Sequence, residues 1–205
     1  MLREDQMPRP TFFKLSQEKQ NKVMKAAFQE FSRVALSDAS IANIIKAAAI
    51  PRGSFYQYFK DKEDIFYHLL DIHSQDIKKQ LIIFLNDHQG DVIDAFIDLY
   101  CYILDKIKNS LNEKFFQNIF LNLNYDLERK FTPNLEDDLN EVINLIDINK
   151  LNIISKLQLI YVVDIIEAIL FRNLTQSYKR SLSIEKNIEI FKREMSLIKK
   201  GIYKK

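Results

Sequence analysis

Glycine is nearly missing from this chain: 3 occur in 205 residues, beside 4 prolines. Average usage is about 7% and about 5%, and sheets and turn-rich folds draw on both wherever the backbone enters positive φ or reverses direction. Long helices need neither. Dinucleotide fingerprints, phosphate-cradling loops and propeller blades all require glycines that are not here. A helical core is within reach, because 47% of the residues are hydrophobic and a chain of this length supports one ordinary domain or two small ones. The single cysteine, Cys101, excludes an internal disulfide framework and a multi-thiolate zinc site. A membrane span needs roughly 18 uninterrupted apolar residues, and Asp164 and Glu167 interrupt the greasiest stretch. Met1 to Pro10 alternates charges and prolines with no apolar run, unlike a signal peptide. The expectation is a cytoplasmic protein with no membrane partner.

Charge becomes informative when divided. Through Lys62 the chain holds 11 Lys/Arg against 6 Asp/Glu, and beyond it 19 against 22. A basic N-terminal third suits a polyanionic partner. Lysine supplies 22 of the 30 basic residues, however, and the chain is rich in Ile and Asn, so compositional bias explains the charge equally well. Motifs have to decide.

Apolar residues recur at helical spacing throughout, and no strand alternation occurs. Ser16 caps a helix over about 16–32 that carries Met24, Ala27, Phe28 and Phe31 on one side. Beyond the polar break at 37–40, Ser40 caps a short helix ending near Ala48, with Ile41, Ile44, Ile45 and Ala48 on one face. Pro51 opens a third helix, whose first turn tolerates proline, and Phe55 and Phe59 mark its buried side. Asp61 and Asp64 suit a capping box for a long helix from Lys62 to about Leu85. Further helices are expected over 91–109, 111–131 with a stop at Thr132 and Pro133, 135–147, 155–178 and 183–202. The fold class is all-α: a three-helix unit joined by a long helix to a larger C-terminal bundle.

Two short helices joined by a tight turn, the second starting at Pro51, describe a helix-turn-helix whose second member enters the DNA major groove. With Phe55 and Phe59 turned inward, Arg52, Gly53, Ser54, Tyr56, Gln57 and Tyr58 occupy the rims and outer face. Arginine forks onto guanine, serine meets a base edge or phosphate, glycine permits close backbone approach, and tyrosine hydroxyls suit phosphate oxygens. Lys62 lies in the first turn of the next helix, where ammonium and free N–H groups converge on a phosphate. Lys46 and Lys60 are weaker candidates for the same task.

The run from Ser40 through Ile44, Ile45, Ala49, Pro51, Arg52, Gly53, Ser54, Tyr56, Tyr58 and Phe59, followed by Lys62 and Glu63, resembles the DNA-binding signature of the TetR/AcrR family of bacterial transcriptional regulators. The resemblance covers roughly 16–70. It implies a homodimeric repressor of a palindromic double-stranded DNA operator, released by an unknown small-molecule effector. Ser40, Tyr56, Tyr58 and Lys62 match positions of the family's phosphate contacts, and Pro51, Arg52 and Ser54 its base-reading positions. Ala49 and Ala35 stand where the family usually has glycine; an alanine at positive φ costs on the order of 1 kcal/mol. On this reading 1–15 is a flexible arm, 16–62 the helix-turn-helix domain with its motif at about 40–59, and 63–205 a ligand-binding and dimerisation domain.

Nothing else in the chain assembles into catalytic chemistry, so no enzyme, metal site or cofactor is expected. His68 and His73 stand about 140° apart around their helix and cannot clamp one metal. Among the aromatics of the C-terminal part, Phe96, Tyr100, Phe116 and Phe120, with Tyr161 and Ile165, are candidates to line an effector cavity. The helix over 155–178 is apolar on more than one face, so Ile166, Leu170 and Leu174, with Phe191 and Met195 of the last helix, are candidates for the dimer interface. The alternative reading is a helical scaffold or protein-interaction module that does not bind DNA.

Overall fold

The computed structural model describes residues 8–108, 112–122 and 140–203. Ten helices occur among the described residues: α1 Pro10–Phe13, α2 Gln17–Arg33, α3 Ile41–Ala48, α4 Arg52–Tyr58, α5 Lys62–Asp87, α6 Val92–Lys108, α7 Glu113–Leu121, α8 Asn140–Leu145, α9 Lys156–Lys179 and α10 Ile184–Ile202. Among the described residues there is no strand beyond one isolated bridge between Leu151 and Tyr203. The all-α expectation holds. Of the helices expected over 111–131 and 135–147, the described parts are α7 and α8, while the Thr132–Pro133 stop lies outside the described residues.

Side-chain chemistry at the helix ends explains where they start. Ser155 accepts from the Gln158 N–H at 3.3 Å and Ser183 from the Lys186 N–H at 3.2 Å, each satisfying a donor that the first turn leaves free. Asp61 accepts from the Asp64 N–H at 2.9 Å, and Asp64 reaches back to the Lys60 N–H at 2.7 Å. That reciprocal pair opens α5 one residue away from a regular capping box. Ser16 and Ser40 occupy cap positions but make no side-chain cap bond.

Two compact units divide the chain, and their boundary falls inside α5, between Ser74 and Gln75. The first unit contains α1 to α4, the start of α5, and α7. Its core is Val23, Ala27 and Phe31 of α2, Ile44 and Ala48 of α3, Phe55 and Phe59 around α4, and Ile65 and Phe66 of α5, all buried. The segment expected to be a loose arm differs over its described part: α1 docks on this core through Phe12, which is 1% exposed. A second difference concerns α7, grouped by sequence with the C-terminal bundle. Its Phe115 ring lies 5.0 Å from Phe28, and Asn118 donates to the Phe31 and Ser32 carbonyls at 2.9 and 3.2 Å, satisfying last-turn acceptors of α2.

The second unit holds the rest of α5 with α6, α8, α9 and α10. Tyr100 of α6 stacks on Phe191 of α10 at 4.2 Å. Near the end of the chain, Tyr203 donates to Asp91 at 2.5 Å and Lys199 donates to Asp91 and Asp94 at 3.0 and 2.8 Å, tying the end of α10 to the start of α6. Gly90 turns the chain between α5 and α6 at φ 77°, and a Cβ there would meet the Asp147 backbone nitrogen at 2.5 Å. This is one place where the fold demands glycine.

Candidate nucleic-acid interface

The helix-turn-helix is built by α3, a tight turn and α4. Ala49 adopts the left-handed conformation at φ 52°, ψ 47°, and its N–H bonds back to the Ile45 and Lys46 carbonyls. The turn therefore keeps the regular geometry of a helix C-terminus and places the strain on an alanine. Pro51 follows in extended conformation as the N-cap of α4. Phe55 and Phe59 are both fully buried with ring centroids 5.6 Å apart, which anchors one side of α4.

Arg52, Gly53, Tyr56 and Gln57 are exposed, as are Pro51 and Lys46, while Ser54 and Tyr58 are half-buried. Arg52 lies along Tyr56: its guanidinium carbon sits 5.8 Å from the ring centroid, and its Nη2 is 3.5 Å from the hydroxyl. A Cβ built on Gly53 meets nothing within 4 Å, and its φ is not in the left-handed region. Nothing among the described residues requires glycine at that position.

Lys62 is half-buried, and its ammonium donates to the Ser37 carbonyl at 2.6 Å and the Ala39 carbonyl at 3.3 Å. This draws it to the residue preceding Ser40, so the two expected phosphate ligands meet at one place. An ammonium has three donors, which leaves one for a phosphate. Behind them, the buried Glu30 accepts from Arg33 at 2.8 Å, the Ser40 N–H at 2.9 Å and Asn43 at 3.0 Å. The Arg33 bond chiefly holds its carboxyl below the usual range, with the Ser40 and Asn43 bonds acting the same way against burial. Sequence reasoning missed this Glu30 hub and the carbonyl bonds of Lys62, since neither follows a fixed spacing.

Residues 23–69 match the family described as bacterial regulatory proteins, tetR family, and residues 91–202 match the tetracyclin repressor-like C-terminal domain. The chain belongs to the TetR family. Membership of this family of bacterial regulatory proteins weighs against the scaffold alternative without DNA binding. This TetR-family chain is 27% identical over 90 residues to the HTH-type transcriptional regulator AcrR of Shigella flexneri, a match covering 44% of it and 42% of AcrR. It is 42% identical over 59 residues to YdgC, an uncharacterized HTH-type transcriptional regulator of Bacillus subtilis, covering 28% and 30%. It thus spans less than half the length of these curated relatives. The fold is shared with SmeT, the repressor of the SmeDEF multidrug efflux pump of Stenotrophomonas maltophilia, at a TM-score of 0.68 and 11% identity over 94% of this chain and 93% of SmeT.

The effector and dimer candidates of this TetR-family chain fall differently from their expected grouping. Phe96 and Tyr100 are buried in the second unit, whereas Phe116 and Phe120 are buried in the first. Tyr161 and Ile165, expected to line a cavity, are 56% and 54% exposed. Conversely, Ile166, Leu174, Phe191 and Met195, expected at a dimer interface, are buried in the protomer's own core, and Leu170 is half-buried. Apolar residues surround α9, so periodicity alone did not say which stripe its own neighbours cover. On the flank between the two stripes, burial first and Asp164 second push the half-buried Glu167 up to about 7. The histidines stand apart: His68 against Phe12 and Phe13, His73 against Phe115 and Phe116, His88 paired to Asp98 at 2.7 Å. Burial raises the half-buried Cys101 thiol, which keeps it a poor nucleophile.

Proposed function

We propose that this chain is a cytoplasmic homodimeric repressor whose two α4 helices read successive major grooves of a palindromic operator and are released by a small molecule. The observation that carries the α4 assignment is Gly53: an open, helical glycine with no steric or dihedral demand inside the chain. Helix interiors disfavour glycine by roughly 1 kcal/mol relative to alanine. Its presence on a face with exposed Arg52 and Tyr56 fits an external surface that approaches the backbone closely. Arg52 and Ser54 then read bases, while Ser40, Tyr56, Tyr58 and Lys62 bind phosphates, with Pro51, Gln57 and Lys46 at the margin of the contact.

Exposed Leu157, Tyr161 and Ile165 of α9, with Leu197 of α10, support pairing with a second copy. Pairing must set the two α4 helices about 34–36 Å apart. A small molecule bound in the C-terminal unit releases the operator only through unequal affinity for two spacings, and hundredfold release needs about 2.7 kcal/mol of difference.

Gly53→Ala is the decisive variant. Its melting temperature is expected to equal or exceed the wild type, while affinity for a duplex selected by the protein from a random pool falls at least tenfold. Undiminished binding would remove α4 from the interface. In the same assay Lys62→Ala lowers the salt slope by roughly one, and Arg52→Ala relaxes base choice.

A further inference from the structure

We infer that the segment from Arg9 to Phe13 is a clamp that sets the position of the reading helix, making Arg9 and Thr11 positioning residues for DNA recognition. This rests on the assignment of α4 as the helix that reads DNA. Helix α4 has only seven residues, and the last four carbonyls of any helix lack partners within it. Here every one of the four is taken. Phe55 accepts from the Phe59 N–H at 2.9 Å, and the other three go to the N-terminal segment. Tyr56 O accepts from Arg9 Nη1 at 2.9 Å, Gln57 O from Thr11 Oγ1, and Tyr58 O from the Arg9 N–H at 2.9 Å. The Arg9 guanidinium also lies at the negative end of the α4 dipole.

Phe12 holds the segment in place. Its ring centroid is 5.0 Å from Phe59, 6.1 Å from Tyr58 and 5.8 Å from His68 of α5, so it wedges between the end of α4 and the start of the next helix. Arg9 and Thr11 are exposed, so neither fills the core, and removing their donors leaves the Phe12 packing intact. The matched DNA-binding domain begins at residue 23. The clamp therefore lies outside the range that the family domain matches. A seven-residue helix has little stability of its own. Without outside donors its last turn frays, and Tyr56 and Gln57 lose a fixed position relative to the groove.

The test uses the full chain, a duplex selected by the wild type from a random pool, and a scrambled duplex of equal length. Thr11→Val keeps the shape and deletes the donor; Thr11→Ser restores it. Thr11→Val and Arg9→Ala are each expected to weaken the selected duplex about fivefold, the order of one hydrogen bond. Binding to the scrambled duplex and the salt slope stay unchanged, Thr11→Ser matches the wild type, and amide hydrogen exchange over 56–59 quickens in the Thr11→Val protein. Equal weakening on both duplexes, or a salt slope lowered by about one in Arg9→Ala, would make Arg9 a direct phosphate contact instead. Faster exchange with unaltered specific binding would reduce the clamp to a stabilising contact and overturn it. A wild type that selects no duplex, or Arg52→Ala and Gly53→Ala variants that bind like the wild type, would sink the assignment of α4 itself and the clamp with it.

Discussion

The two units of this protein present opposite surfaces. In the first, the exposed helix α4 carries Arg52, Gly53, Tyr56 and Gln57 over a fully buried pair, Phe55 and Phe59. In the second, the exposed stripe of α9 carries Leu157, Tyr161 and Ile165, over a core face that is itself apolar at Leu159, Val163 and Ile166. A polar function on an amphipathic helix declares its own orientation, because only one side can be the core. An apolar face on an apolar helix does not, which is why periodicity left open that Ile165 is exposed and Ile166 buried.

Five changes probe that contrast, from the largest effect down. Gly90→Ala forces a methyl against the Asp147 backbone in the second unit and should cost about 3 kcal/mol of unfolding free energy, combining overpacking with a positive φ. The same substitution at Gly53 in the first unit should cost nothing in a denaturant titration. If both glycines behaved alike, the distinction between a fold-required and a partner-required glycine would collapse. Next, Ile165→Glu should raise the dimer dissociation constant by about a hundredfold, roughly 2.7 kcal/mol, without moving the protomer's circular dichroism. Sedimentation that shows the variant still dimeric at micromolar concentration would transfer the interface to another face.

Smaller effects sharpen the first unit. Glu30→Gln should lower stability by about 1.5 kcal/mol at neutral pH, since bonds to a charged acceptor are lost. The folded carboxyl lies below the usual range. Its contribution is therefore complete above the unfolded value of about 4.3 and disappears as pH falls through the folded one. Wild type and variant should converge in acid melts; a constant gap would deny the carboxylate its role. Smallest, Ala49→Gly relieves the left-handed alanine and should stabilise by about 1 kcal/mol, read as a higher denaturation midpoint at unchanged slope.

Much of the candidate site could be read from the order of residues. Pro51, the Phe55 and Phe59 spacing and the Asp61 and Asp64 pair locate α4 and the start of α5 to within a residue, because each acts on backbone within one turn. The grip of Arg9 and Thr11 on the α4 carbonyls could not be read. Those partners lie 46 and 47 positions apart, and no periodicity links them. The Pro10-Thr11-Phe12-Phe13 run was a usable signal for α1, since proline suits a first helical turn and a phenylalanine there offers a ring to bury, as Phe12 does while Phe13 stays exposed.

Scarcity of glycine and the periodicity of Ile, Leu and Phe were enough to make this chain helical, and one solvent-facing run beginning at Pro51 was enough to mark α4 as the candidate reading helix. Local rules suffice there: helix, cap and turn are decided by residues three or four apart. Tertiary structure alone decided that α7 belongs with the first unit, that Phe191 and Met195 are core, and that Tyr161 and Ile165 face outward. Burial depends on which helix lies opposite, and an apolar side chain has the same affinity for every greasy neighbour until the packed chain selects one.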